Sequence, residues 1–145
     1  IDTLARFTDA ATICYAAYTD AGDVDAPALQ RMEAELRALR QPSGEPYRLL
    51  ALPQPAPIHD HDGKRLPAGY ANFLIINGAV LVPVYGDTAD AVALRRLGEA
   101  FAGRRIEAVD CRPLIRQGGS LHCVTMQIPA TAASPPDRGT SGGAG

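Results

Sequence analysis

The sequence predicts an α/β fold built of two hairpin-helix-strand units that follow one another along the chain. Three observations carry this expectation. Asn77-Gly78 stands between two apolar runs, the strongest short-range signal for a β-hairpin. Two segments, one beginning at Ala26 and one after Thr88, repeat apolar residues at spacings of three and four, the period of an amphipathic helix. Each of these segments follows a β-rich stretch and precedes another short apolar run, so one element order occurs twice.

Residues 4–18 hold β-branched and aromatic side chains (Phe7, Thr8, Thr12, Ile13, Tyr15, Tyr18) and read as two short strands with a tight turn near residues 8–10. Asp25 then precedes Ala26-Pro27, and Leu29, Met32, Leu36 and Leu39 form one helical face that ends before Pro42 and Gly44. Residues 47–52 are apolar and of strand length, and Pro53, Pro55 and Pro57 stop them because proline cannot donate to a ladder. The second unit has strands over residues 70–76 and 79–85, joined through Asn77-Gly78 as a type I′ turn. Asp87 or Thr88 caps a helix with Ala91, Leu94, Leu97 and Phe101 on one face, and Gly103 ends it before a strand over residues 106–109. Setting Phe7 against Phe73 puts the units 66 residues apart (73 − 7), with little identity between them, so the repeat is one of architecture.

Length and composition bound the function classes. The 145 residues suffice for one domain, and 46% hydrophobic with 21% charged residues is the balance of a globular chain. No run approaches the roughly 18 apolar residues of a membrane span, and 14 basic against 16 acidic residues without long blocks of either sign argue against nucleic acid as a partner. Cys14, Cys111 and Cys123 are an odd number, far apart and without CxxC spacing, which fits a reducing compartment, the cytoplasm. The chain opens on Ile1 with neither an initiator Met nor a signal-like segment, so a truncated start is expected. Residues 130–145 lack periodicity and large apolar side chains and are expected to be a disordered tail.

Chemistry could reside at Gly118-Gly119-Ser120, where glycines let the backbone approach a ligand, running into residues 121–128, read as a strand that carries Cys123. A catalytic Cys attacks as the thiolate and needs a site that favours it, for instance a nearby cation, which a cationic substrate can supply in part. A buried structural thiol is the competing reading of Cys123, and residue chemistry alone favours it. His122 would point away from Cys123 along a strand, so it reads as structural. His59-Asp60-His61-Asp62-Gly63 could collect a divalent metal, but turn composition explains the segment without one. Asp2 and Asp9 bracket the first strand, and either carboxylate could clamp a planar guanidinium or be a surface charge. Cys14 and Cys111 read as structural.

Three ordered segments resemble one family. They are Leu66-Pro67-Ala68-Gly69-Tyr70-Ala71-Asn72-Phe73, Asn77-Gly78-Ala79-Val80-Leu81-Val82-Pro83-Val84-Tyr85-Gly86-Asp87, and Gly118-Gly119-Ser120-Leu121-His122-Cys123-Val124-Thr125. Together they are similar to the agmatine deiminases and the related bacterial peptidylarginine deiminases. Ile1-Asp2-Thr3-Leu4-Ala5-Arg6-Phe7 resembles the segment after that family's Gly-His pair, whose His is the acid/base and whose following carboxylate matches Asp2. The pattern departs at Gly69, where Ser is usual, at Ser120, where a third Gly is common, and at Met126, where Gln is frequent.

The resemblance covers residues 1–129 and implies the C-terminal part of a five-bladed α/β propeller, the pentein fold, with the two units as blades. It implies hydrolysis of agmatine to N-carbamoylputrescine and ammonia through a thiouronium on Cys123, with no cofactor and no metal. Peptidyl-arginine is the alternative substrate, and a silent binding relative the alternative class. Asp2 joins Cys123 as catalytic, and Asn72, Gly118 and Gly119 are expected to bind substrate. The implied partners are a small cationic guanidino compound and the remainder of the protein's own domain, without which this segment is expected to be inactive. A second copy of the protein is the remaining candidate partner.

Overall fold

The computed structural model describes residues 3–18 and 20–128. Asp2 and the expected tail lie outside the described residues. Two three-stranded sheets form, each from one of the expected units. In the first, β1 (Ala5–Phe7) pairs antiparallel with β2 (Thr12–Ala16), which pairs in parallel with β3 (Arg48–Leu52). Helix α1 (Ala26–Ala38) makes the crossover that a parallel pair requires. In the second, β4 (Leu74–Ile76) pairs antiparallel with β5 (Ala79–Val84), and β5 in parallel with β6 (Arg105–Asp110) across helix α2 (Ala89–Ala100). A short helix α3 (Arg112–Ile115), not expected from the sequence, follows β6.

Several local expectations are corrected. The first loop spans residues 8–11, where the Thr8 amide donates to the Thr12 carbonyl and the Asp9 carboxylate accepts from Ala11 N–H at 2.7 Å. Asp9 is therefore a loop-closing residue, and these hydrogen bonds lower its pKa. Residues 70–72 are a 3₁₀ turn, with extended structure beginning only at Leu74. Gly78 has φ +76° while no described non-glycine residue has positive φ, which excludes type I′, a turn that needs both central residues left-handed. Phe7 pairs with Ile13 at the end of its hairpin and Ile76 with Ala79 at the end of the other, so Phe7 corresponds to Ile76 rather than to buried Phe73.

On α1, Ala26, Leu29 and Leu36 are buried, while Leu39 lies past the helix end and is exposed. On α2 the buried pair is Ala93 and Leu97, and Ala91 faces solvent. Thr88 sits at the N-terminal boundary of α2 without a side-chain cap bond; Asp87 accepts from Ala89 N–H, and Asp90 accepts from the amides of Tyr85, Gly86 and Asp87. The main core joins both units: Cys14 and Leu52 from the first unit pack in one cluster with Tyr70, Phe73, Val80 and Leu97 from the second unit.

Candidate active site

Cys111 follows the end of β6 and stands at the N-terminal boundary of α3. Gly118 follows in the left-handed region at φ +89°. Residues 122–124 then form one 3₁₀ turn instead of the expected strand, so alternation of faces does not govern His122 and Cys123. The glycine pair allows the sulfur to sit where it does: a Cβ on Gly119 would lie 3.0 Å from the Cys123 Cβ and 3.6 Å from its Sγ.

Two sets of hydrogen bonds tie this loop to the segment before β4. Asn72, only 3% exposed, accepts the His122 main-chain N–H on Oδ1 at 2.7 Å, and its Nδ2 lies 3.3 Å from Cys123 Sγ. Sγ also lies 3.6 Å from Oδ1. Nearby, the Tyr85 hydroxyl accepts from Gly69 N–H at 3.0 Å, donates to the Gly69 carbonyl at 3.1 Å and meets the Ser120 hydroxyl at 2.8 Å. Burial raises the Tyr85 phenol, so it remains a neutral hydroxyl that bridges the two loops.

Cys123 is exposed, whereas Cys14 and Cys111 are buried. Burial pushes the Cys14 thiol up to about 12 and that of Cys111 in the same direction, which makes both poor sources of thiolate. Cys123 opens on a cleft of about 620 Å³ that Asn72, Gly118 and Gly119 also line. Four of the five expected site residues therefore meet at one cleft; Asp2 lies outside the described residues, and its neighbour Thr3 borders the same cleft.

Sequence reasoning missed the cleft's other wall. The loop between β2 and α1 contributes Asp23 and Asp25, and Arg65 reaches across to them. Arg65 grips Asp23 with two bonds of 2.7 and 3.0 Å and meets Asp25 at 2.9 Å. Two carboxylates against one guanidinium leave this wall with a formal charge of −1. The acid-rich run Asp20-Ala21-Gly22-Asp23-Val24-Asp25 was the available signal, but its partner lies 42 residues away from Asp23.

The histidine-aspartate segment is a solvated turn. Asp60 accepts from the Asp62 and Lys64 amides, Gly63 takes φ +78°, and His61 reaches its neighbour Asp62 at 3.2 Å. Among the described residues no three His, Cys, Asp or Glu side chains group as a metal site would need, and no helix is long and apolar enough to cross a membrane.

The mixed α/β frame with its small sheets is close to that of solved deiminase structures. The chain belongs to the Porphyromonas-type peptidyl-arginine deiminase family, whose pattern it matches over residues 1–129. It is 30% identical to agmatine deiminase of Stutzerimonas stutzeri over 147 aligned positions, covering 90% of this chain and 40% of that one. A Porphyromonas gingivalis structure that carries a provisional arginine deiminase name superposes with a TM-score of 0.87 at 55% identity, over 90% of this chain and 38% of that one. C. jejuni agmatine deiminase superposes at 0.77 with 43% identity, over 85% of this chain and 37% of that one. The chain thus spans well under half the length of these relatives.

Proposed function

We propose that the complete protein hydrolyses a guanidino group, with agmatine as substrate and N-carbamoylputrescine and ammonia as products. One observation carries the reading: in a chain of deiminase family, the exposed thiol is the one that opens on the cleft, with Asn72 and Gly119 against it. The thiolate of Cys123 attacks the guanidinium carbon. Ammonia leaves with a proton from a general acid, giving a thiouronium. Water then adds to that carbon as the acid/base, left basic by the first step, takes one of its protons; the C–S bond breaks as the remaining hydroxyl proton is released to solvent, and the ureido product departs with the thiolate and the protonated acid/base regenerated. Asp2 holds the guanidinium, Gly118 and Gly119 leave room for it, and the acid/base is a histidine that the resemblance puts immediately before Ile1. The whole site belongs to a five-bladed propeller of which the two units are blades.

The anionic wall of Asp23, Asp25 and Arg65 supports agmatine, whose tail is an ammonium, over free arginine, whose tail carries a carboxylate. Peptidyl-arginine is the second reading, favoured by the name of the family itself. The test is ammonia release by the complete protein from agmatine, free arginine and an arginine-containing peptide. Cys123→Ala should abolish release from whichever substrate is used, while Cys111→Ala retains most of it; release by the Cys123→Ala variant would overturn the assignment. No release from any of the three by the unaltered protein would leave a silent relative.

A further inference from the structure

We infer that Gln54 is a specificity-determining residue of the cleft, its Oε1 accepting a hydrogen bond from the cationic tail of the guanidino substrate. The inference rests on the proposed reaction and deepens it by naming what meets the far end of the substrate. Gln54 is half-buried and stands just past β3, between Pro53 and Pro55. A proline on each side restricts the backbone that carries the amide, so the side chain springs from a stiff segment. Two hollows meet at this residue. The cleft of about 620 Å³ bordered by Cys123, Asn72 and Gly119 adjoins a second of about 570 Å³ bordered by Asp20 and His59. Asp23, Val24, Gln54 and Arg65 line both, so they form the boundary at the end of the cleft away from the thiol.

The amide offers that boundary an acceptor. Nε2 donates to the Pro53 carbonyl at 3.4 Å, a partner that only a donor can meet, and among the described residues Oε1 accepts from no group. Oε1 lies beside the cleft wall at Gly69, where a Cβ would meet it at 3.8 Å. Gly69 is one 3₁₀ turn from Asn72, whose Nδ2 is 3.3 Å from the sulfur. Such a turn rises about 6 Å, and the extended tail of agmatine sets its ammonium about 7 Å from the guanidinium carbon. The two lengths are of one size, so a substrate with its guanidinium at Cys123 reaches the boundary with its tail. The charged groups there agree with an ammonium and oppose a carboxylate. Arg65 is turned to Asp23 and Asp25, and Asp23 spends both carboxylate oxygens on it. The wall therefore attracts a cation by its net charge, while Gln54 supplies an oxygen that no cation of the protein holds.

Calorimetric binding of two guanidines to the complete protein carrying Cys123→Ala, which cannot turn them over, tests this. The ligands are agmatine and 1-pentylguanidine, in which a methyl group replaces the ammonium. Gln54→Met keeps the length of the side chain and removes the acceptor. It should weaken agmatine roughly tenfold, the size expected for one hydrogen bond to a charged group, and leave 1-pentylguanidine unchanged. Gln54→Glu keeps an oxygen and adds a charge, and should bind agmatine at least as tightly as the parent. With Cys123 present, Gln54→Met should raise KM for agmatine by the same factor with little change in kcat. Equal weakening of both guanidines in Gln54→Met would make the residue a matter of cleft shape, and unchanged agmatine affinity in that variant, or weaker agmatine binding in Gln54→Glu, would likewise overturn the role. Absence of ammonia release by the unaltered protein would instead count against the proposed reaction, and the comparison of the two guanidines would still decide the assignment of Gln54. Failure of agmatine to bind at all would overturn both.

Discussion

Gly118 and Gly119 are adjacent, and each needs glycine for a different physical reason. At Gly118 the space around a Cβ is open, but φ is +89°, a conformation that costs an L-residue about 1–2 kcal/mol. At Gly119 the backbone raises no such objection, and the obstacle is the Cys123 Cβ at 3.0 Å. The two substitutions should therefore separate stability from chemistry. Gly118→Ala should lower the unfolding free energy by about 1–2 kcal/mol, read by denaturant titration, with Cys123 of the remaining folded protein still alkylated by iodoacetamide at the unaltered rate. Gly119→Ala should cost less stability but push Cys123 off its place beside Asn72, reducing iodoacetamide alkylation and deimination together, by roughly tenfold or more if the sulfur moves by even half an ångström. Equal effects of both variants on stability and reactivity would show that the loop responds as one unit and that sulfur placement has no separate dependence on Gly119.

At the scale of elements, the loop between β2 and α1 is fastened from outside itself. Asp25 sits at the N-terminal boundary of α1 without capping it, and its carboxylate joins Asp23 on Arg65. The hydrogen bond from Arg65 lowers the Asp23 carboxyl below its ordinary value of 3.8. A carboxyl depressed in the folded state contributes stability that is present above 3.8 and is lost as pH falls through the lowered folded value. Arg65→Ala should accordingly destabilise by about 1 kcal/mol or less near pH 6, as partly exposed pairs do. The difference from the unaltered protein should shrink in acid below pH 3.8, by thermal unfolding at matched ionic strength. A difference that persists unchanged there would assign the effect to packing of the Arg65 stem. This link also shows what the sequence could and could not disclose. Asn77-Gly78 and the helical spacings are local signals, and both hairpins, both helices and the parallel strands form in the expected order, with the strand expected from residue 70 beginning only at Leu74. Residues 121–128 read as a strand because Leu, Cys, Val, Thr and Ile favour one, but the His122 N–H goes to Asn72 instead of to a neighbouring strand, and a 3₁₀ turn results. Bonds of 50 and 42 residues' separation, His122 to Asn72 and Arg65 to Asp23, leave no periodic trace in the chain. The glycines beside Cys123 marked a place where the backbone could approach a ligand, but singling out the thiol, like its amide partner, took the motif resemblance.

Across the whole molecule, the two sheets have separate hydrogen-bond ladders but one main core. Arg6 on β1 donates to the Phe73 carbonyl and stacks over the Phe73 ring at 4.5 Å, while Arg96 on α2 donates to the Ala51 carbonyl of β3 at 2.5 Å. Leu52, with no exposed surface, stands at the end of β3 inside the cluster that holds Tyr70, Phe73 and Leu97 of the second unit. The cleft lies where the units meet, with Asn72 and Cys123 from one and Asp23 and Asp25 from the other, so its shape depends on their docking. Coupling of this kind makes a specific demand on unfolding. Leu52→Ala removes buried methyl groups from a packed site and should cost about 2–5 kcal/mol, depending on how far the neighbours collapse into the space. Because those neighbours belong largely to the second unit, amides of β5 should lose hydrogen-exchange protection along with those of β2, by comparable amounts, in the complete protein. Loss confined to β1, β2 and β3 would mean that the units open independently, and the cleft would then be a boundary between two separately folding bodies rather than a feature of one core.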